Sequence, residues 1–548
     1  MSSKRWTNLT GWLVFTIAFV VYYFSAERTG SLWDCGEFIT GAYKLQVVHP
    51  PGAPLFMIVG RLFTYIAEVF SDNPADIAFA VNLMSGICSA FTAMFIAWIT
   101  MRLGRLSLVG RDKELEEGQQ LVLAGGGLAA GLATAFSTSI WFSAVEGEVY
   151  AMSTFFTAMT FWAIIKWYTL PDNAKTDRWL VFAIYSGGLS IGVHLLSILT
   201  FPALAMFYYF KKYKNHNLLG MAAAAGAGAA LIVFIQSFII QGIPKLWAFW
   251  ELWMVNSLGL GFHSGLIPVV IIITGIIVAG LYYAQKNKNA LLQMVVVSVM
   301  LLIVGYSTIG VIVIRANANT PINMNNPSDA MRVIPYLNRE QYGERPLLYG
   351  PSYEARPIDN KFEARYGQVD DHYEIVDDKI SYEYRSSDKM VFPRMGDPTQ
   401  NRNQLYELWR GGETGKPSMA ENIAFMFRYQ VGWMYMRYFF WNFAGRQNGE
   451  QGFFSWDPKS GNWYSGIKVL DEARLYNEDK MPETMKNKQA RNKYFMLPFI
   501  FGIFGLFFHF RRSYNDAMGL LALFIITGIG IIIYSNQPPN EPRERDYV

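Results

Sequence analysis

The stretch "DCGEFITGAYKLQVVHPPGAPLF", residues 34–56, concentrates two carboxylates and an imidazole in a chain with only six histidines. Asp34 and Glu37 stand three residues apart, so on a helix they project from one face. Paired carboxylates suit proton transfer. One takes the proton of an acceptor hydroxyl as general base while the other positions the acceptor or supports the first acid. The same pair also fits a plain helix start, with Asp34 as N-cap and Glu37 at the third helical position in a variant capping box. His49 opens His49-Pro50-Pro51-Gly52. The two prolines fix φ, remove two backbone donors and push the preceding residue to extended geometry. A rigid bend is expected there, holding an imidazole that orients an acceptor or a phosphate, or else simply stopping a helix.

Three further features bear chemistry. In "SIWFSAVEGEVYAM", residues 139–152, Glu146 and Glu148 precede an apolar run. Their i, i+2 spacing does not share a helical face, so one of them, Glu148, is expected in a site, with helix-start charge as the alternative. In "GGLSIGVHLLS", residues 187–197, His194 lies among glycines that let helices approach closely. Arg315 ends a long apolar run. It is suited either to clamping a lipid phosphate through two N–H groups or to snorkelling toward headgroups. No Gly-rich phosphate loop, CxxC pair or HExxH motif is present.

The elements that must position these residues are membrane helices. Of 548 residues, 52% are hydrophobic, 16% aromatic and only 16% charged. A soluble protein carries about 25% charge. Apolar runs near bilayer length alternate with short charged loops, the pattern of an all-α polytopic membrane protein. Eleven crossings are expected: 8–26, 77–101, 121–140, 149–168, 179–194, 195–211, 218–240, 265–284, 290–314, 494–511 and 516–535. Residues 55–70, carrying Arg61 and Glu68, read as an interfacial amphipathic helix.

With the N-terminus inside, lysines and arginines gather on inner connections at every turn: Lys4 and Arg5, then the loops near 102–113, 166–178, 211–214, 286–288 and 511–512. The short outer connections hold Arg28, Lys44 and Lys245. This is the positive-inside bias. The small net charge of +4 therefore reads as topology and excludes nucleic-acid binding. The first run reads as an uncleaved signal anchor. Cys35 and Cys88 supply no disulfide framework.

Three domains follow: a catalytic transmembrane domain at 1–314, an outer-face insert of mixed structure at 315–493, and a C-terminal helix pair with its tail at 494–548. Within the insert, residues 368–394 alternate as β-strands do. Residues 419–443 read as an aromatic helix at the membrane surface, with Arg428 and Arg437 interspersed. Asp34, Glu37, His49, Glu148, His194 and Arg315 all fall on one outer face. An enzyme acting on a lipid-linked substrate would have this layout.

These residues resemble a known family. Asp34-Cys35-Gly36-Glu37 followed by His49-Pro50-Pro51-Gly52-Ala53-Pro54-Leu55 resembles the bacterial branch of the protein O-mannosyltransferase-like family within the GT-C glycosyltransferase superfamily. Trp141 with Glu148-Val149-Tyr150-Ala151, and Gly188-Leu189-Ser190-Ile191-Gly192-Val193-His194, match further elements of that family. The likeness runs over about residues 10–320, and "RYQVGWMYMRYFFWNFAGRQN" (428–448) looks like its bacterial members.

The resemblance implies a GT-C fold. It also implies transfer of mannose or a related hexose from a polyprenyl-phosphate donor to an acceptor hydroxyl, of which a protein Ser/Thr is the first candidate. By the same resemblance Asp34, with Glu37, is the catalytic carboxylate, and His49, Glu146, Glu148, His194 and Arg315 bind substrate. No cofactor or metal is expected, although Asp34, Glu146 and Glu148 leave a divalent ion open. The expected partners are the lipid-linked donor, a secreted or envelope acceptor protein and membrane lipids. The expected location is a bacterial inner membrane with a periplasmic active face. The competing readings are a lipid-glycan transporter and a non-enzymatic envelope or secretion component.

Overall fold

The computed structural model describes residues 3–111, 113–343, 345–398 and 400–539. The chain is mostly helical, as it must be where no water can satisfy backbone groups. Among the described residues, seven helices are long and apolar enough to cross a membrane. They are α1 (Ser3–Ser25), α4 (Pro74–Leu108), α7 (Val149–Thr169), α10 (Leu218–Ser257), α11 (Leu266–Lys286), α12 (Ala290–Asn317) and α17 (Tyr514–Ser535). Between the first two lie the short α2 (Cys35–Lys44) and α3 (Pro54–Glu68). An eighth crossing is counted if α5 (Glu117–Ala135) and α6 (Thr138–Ala144), bent by 64° at their junction, form one span.

The expected count of eleven is therefore too high on length and composition. The three runs that fall short are 179–194, 195–211 and 494–511. The first two correspond to α8 (Ala174–Ile191) and α9 (Phe201–Lys212), separated by a break with a 3₁₀ turn at Leu195–Thr200. Pro202 sits in the first turn of α9, where a missing N–H does no harm. The third corresponds to α16 (Leu497–Arg512), only 16 residues long. Together α8 and α9 still connect the two ends of the bundle. Leu55 donates to the carbonyl of Gly192 at 2.7 Å. At the far end Lys211 reaches the carbonyl of Trp167, and Lys212 pairs with Asp172.

Contacts between loops sort the chain into the two faces expected from charge. On the lysine-rich end, Arg102 bonds Thr169 at 3.2 Å and Asn515 meets His216 at 2.9 Å. On the other end, Glu27 donates to Val145, Ser139 to Asn442, and Asn256 to Tyr373. That end carries α2, α3 and the insert. The amphipathic helix expected over 55–70 is α3, whose Arg61–Glu68 ion pair (3.2 Å) leaves no charge isolated.

The insert is a small mixed α/β region. After α13 (Ala330–Leu337), strand β1 (Tyr349–Pro351) pairs antiparallel with β4 (Lys389–Val391). Between them β2 (Pro357–Val369) and β3 (His372–Tyr384) form a long antiparallel hairpin. The alternation read at 368–394 thus marked β3 and β4, while β2 was missed. After α14 (Gln400–Arg410), residues 419–443 are helical, with a π-helical middle. This aromatic helix is not a surface helix throughout. Tyr429, Trp433, Tyr438 and Trp441 are buried, and so is Arg437. The Arg437 guanidinium lies 4.0 Å from the Trp433 ring centre and donates to the carbonyl of Gly452. Ring faces and a carbonyl replace water around that charge.

One clamp matters most for the site. Val47 pairs in parallel with Asn323, donating to Ile322 and accepting from Met324. The Gln46 side chain accepts from the Ile322 N–H at 2.7 Å, and the Tyr336 hydroxyl of α13 donates to the carbonyl of Val48. Gly52 takes φ +86°, and a Cβ there would lie 2.5 Å from Tyr336 Oη and 2.9 Å from Ile312 Cδ1. Gly52→Ala is expected to lower stability by about 2–4 kcal/mol through a left-handed backbone and overpacking combined. Gly36→Ala, with nothing within 4 Å of its Cβ position, is expected to leave stability level or slightly raised. Thermal unfolding of the two variants in detergent checks the contrast.

Candidate active site

Asp34 is the N-cap residue of α2, but its side chain makes no capping hydrogen bond. Glu37 does not reach back to close a capping box either. Its two oxygens turn to His49. One accepts from the His49 backbone N–H at 2.8 Å, and the other meets the ring Nδ1 at 2.9 Å. An ionised carboxylate only accepts, so Nδ1 carries a proton in either charge state of the ring and Nε2 is left to face outward. It faces Asp34, with Nε2 3.7 Å from Oδ2. That distance is too long for a hydrogen bond, and ionic attraction acts across it only when the ring is protonated. The alignment Glu37–His49–Asp34 follows from α2 turning through Leu45, which takes a left-handed φ of 49°, and from the clamp on 46–48 that aims the next residue back at α2.

The electrostatics follow from this geometry. Burial alone would raise the Glu37 carboxyl. The His49 ring hydrogen bond, the charge of that ring and the His49 backbone N–H together outweigh burial, and Glu37 is held below the ordinary carboxylate range. Asp34 is the most open of the three: its side chain is 35% exposed, against 21% for Glu37 and 22% for His49. Phe38 packs edge-on to the His49 ring, with centroids 5.3 Å apart. Just before Asp34, Leu32 and Trp33 present large apolar side chains outward, 80% and 55% exposed.

The other expected site residues are arranged around α2 rather than beside His49. Glu146 and Glu148 are both buried, and Ser31 donates to Glu146 at 2.9 Å. Gly147 between them is pressed against α2 and α4, and a Cβ there would come 3.1 Å from Ile39. Glu148 is the N-cap residue of α7 but makes no side-chain capping bond. His194 lies in the break after α8, with its ring 5.8 Å from Tyr150. Its Nδ1 is buried and has no hydrogen-bond partner among the described residues. Arg315 sits at the far end of α2, donating Nε to the carbonyl of Leu45 at 2.7 Å and Nη2 to that of Lys44 at 3.1 Å. Two of its donors thus hold the C-terminus of α2, where a cation also complements the helix dipole.

A divalent ion is better matched to Asp34, Glu37 and His49 than to Asp34 with Glu146 and Glu148. One ligand atom from each of the first three lies within 4.8 Å of the others. Two carboxylates and one imidazole are an acceptable donor set for a first-row divalent metal. Sequence reasoning missed two supports of the site. Asn82, buried in α4, donates to the carbonyls of Glu27 and Thr29 at 2.7 and 2.9 Å and fixes the loop before Asp34. A lone asparagine in an apolar run was the available signal. Tyr336 and the 322–324 strand gave none, because their partners lie more than 270 residues away in sequence.

Comparison with known proteins places this geometry within a recognised segment. No solved structure matches the chain. Residues 343–427, which carry the β-hairpin, match a family of unknown function. The protein O-mannosyl-transferase tmem260 of Dictyostelium discoideum is 28% identical over 167 residues, 30% of this chain and 18% of that protein. The protein O-mannosyl-transferase TMEM260 of Mus musculus is 25% identical over 227 residues, 40% of this chain and 29% of that protein. The chain thus spans less than a third of the length of these curated relatives. Residues 34–217, a segment that begins at Asp34 and includes His49, Glu148 and His194, match the family model of the N-terminal domain of protein O-mannosyl-transferase TMEM260.

Proposed function

We propose that this multi-pass membrane protein is a GT-C-type glycosyltransferase. In this reading it transfers mannose or a related hexose from a polyprenyl-phosphate donor to a protein Ser or Thr hydroxyl on the outer, periplasmic face of a bacterial inner membrane. The observation that carries the reading is the alignment of Asp34, His49 and Glu37 on the segment that matches the O-mannosyl-transferase domain.

Asp34, the most open carboxylate, takes the proton from the acceptor hydroxyl. The oxygen then attacks the anomeric carbon, the bond from that carbon to the phosphate oxygen breaks, and the phosphate leaves on its lipid with inversion at the sugar. Glu37 acts on this step through His49. It fixes the ring so that Nε2 stands beside the carboxylate that gains the proton, the same logic as an orienting acid behind a catalytic histidine. The exposed Leu32 and Trp33 offer an apolar approach for the donor lipid. Glu146, Glu148 and His194 are assigned to support the acceptor side from beneath the surface. Arg315 acts by holding the far end of α2 in place through the carbonyls of Lys44 and Leu45. No step requires a metal.

Three outcomes are expected. In membranes expressing the chain, Asp34→Asn at matched expression loses transfer of labelled sugar by on the order of 10²-fold or more. Equal activity in variant and wild type would remove Asp34 as the base. Treatment with a chelator leaves transfer intact. A loss restored by manganese or magnesium would instead make the Asp34–Glu37–His49 group a metal site. Finally, the depressed Glu37 contributes stability above the ordinary glutamate range, about 4.3. That contribution is lost as pH falls through its lowered folded value. Thermal unfolding measured from pH 6 to pH 3 is therefore expected to fall more steeply in wild type than in Glu37→Gln, and parallel curves would refute the assignment.

A further inference from the structure

A cavity lies at the opposite end of the bundle from Asp34. It encloses about 580 Å³ between the inner ends of α1, α4, α5, α7 and α8. Five cations line it, Lys4, Arg102, Arg105, Lys166 and Arg178, and no carboxylate is among its lining residues. None of the five forms an ion pair among the described residues. Lys166 feels the like charges of Arg102, Arg178 and Lys4, and Arg102 feels that of Arg105. Their hydrogen bonds are sparse: Arg102 reaches the Thr169 hydroxyl at 3.2 Å, and Arg105 the carbonyl of Lys113 at 3.3 Å. Arg102 Nε and Arg105 Nε are buried with no partner among the described residues. Aromatic rings supply the remaining wall, and Lys166 Nζ lies 3.5 Å from the Trp179 ring centre and 4.4 Å from that of Trp162.

The positive-inside bias accounts for cations on this face, but not for their enclosure together. Lys4 and Arg178 reach water at the rim, whereas the half-buried Arg102, Arg105 and Lys166 converge in the cavity, and the unmet Nε donors of the two arginines are unfavourable without an anion. We propose that this cavity binds a net-anionic phosphate group, with the headgroup of an acidic phospholipid as its first source. Arginines offer planar paired donors to phosphate oxygens, and basic pockets between membrane helices suit lipid headgroups. The cavity is of ligand-pocket size. It opens at the level of the headgroups, where the tryptophans would meet the glycerol and upper acyl chain. The site stands apart from the proposed transfer chemistry and does not depend on it.

The test uses the full chain, purified in detergent and stripped of lipid, with binding of phosphatidylglycerol and phosphatidylcholine followed by native mass spectrometry. One saturable phosphatidylglycerol site is expected, with phosphatidylcholine much weaker. Arg102→Gln and Arg178→Gln should each weaken it by about tenfold or more, the scale of one charge-assisted hydrogen bond. Lys286→Gln, on an exposed turn of the same face, should leave it unchanged. Arg178 is itself exposed, so its variant tests the site even if Arg102→Gln fails to fold. Inorganic phosphate at millimolar concentration is the second arm. Displacement of the lipid with the same variant sensitivity would keep the phosphate site and assign it a soluble occupant. Equal binding of both lipids, insensitive to the variants and to phosphate, would overturn the proposal.

Discussion

The Glu37–His49 contact is the constraint on which the candidate site depends. It joins the start of α2 to the residue that follows the 46–48 clamp, with both carboxylate oxygens engaged, one by backbone and one by ring. A carboxylate that accepts two such bonds cannot also close a capping box, and Asp34 makes no side-chain cap of its own but stands beside the far side of the His49 ring. The bend at 49–52 then has a fixed direction. Gly52 admits the Tyr336 hydroxyl where any side chain would exclude it. The insert, whose sequence begins some 270 residues later, therefore acts as a brace for the connection between α1 and α4.

The same brace explains why Arg315 and the 320–337 segment belong to the site although they sit in another part of the chain. Arg315 holds the carbonyl end of α2, while Ile322 and Met324 add a short parallel bridge to Val47. Helix α2 is thus held from three sides: by Arg315 at its end, by Asn82 through the preceding loop, and by Gly147 against its buried face. A ten-residue helix is marginal in isolation. Here tertiary contacts, rather than propensity, keep its two carboxylates at a defined spacing from His49.

Charge organises the molecule along the bundle axis. One end holds a compact set of acids with one imidazole, and the other holds a cavity lined by cations. Between them the long apolar helices carry little that ionises. Such separation fits a solvent that penalises charge at depth and tolerates it at both interfaces. The short segments α8 and α9 are compatible with this arrangement because they pack among longer helices and end in lysines or turns at the two ends, whereas α16 buries no residue and lies on the outside of the bundle.

The sequence by itself determined much of this protein. Apolar run length and the lysine–arginine bias separated two faces and placed Asp34, Glu37 and His49 on the same one, because bilayer thickness and the cost of charge act on composition directly. The HPPG bend, the amphipathic α3 and strands β3 and β4 were legible for equally local reasons of proline geometry and periodicity. The number of crossings was not, since a hydropathy run does not reveal that Gly192 and Pro202 flank a break or that α5 and α6 meet at 64°. Nor could spacing tell whether Glu37 would cap α2 or bind His49. That choice, the burial of Arg437 and the enclosure of Arg102 and Lys166 were decided only by tertiary structure, because each rests on partners that the chain brings back from far along its length.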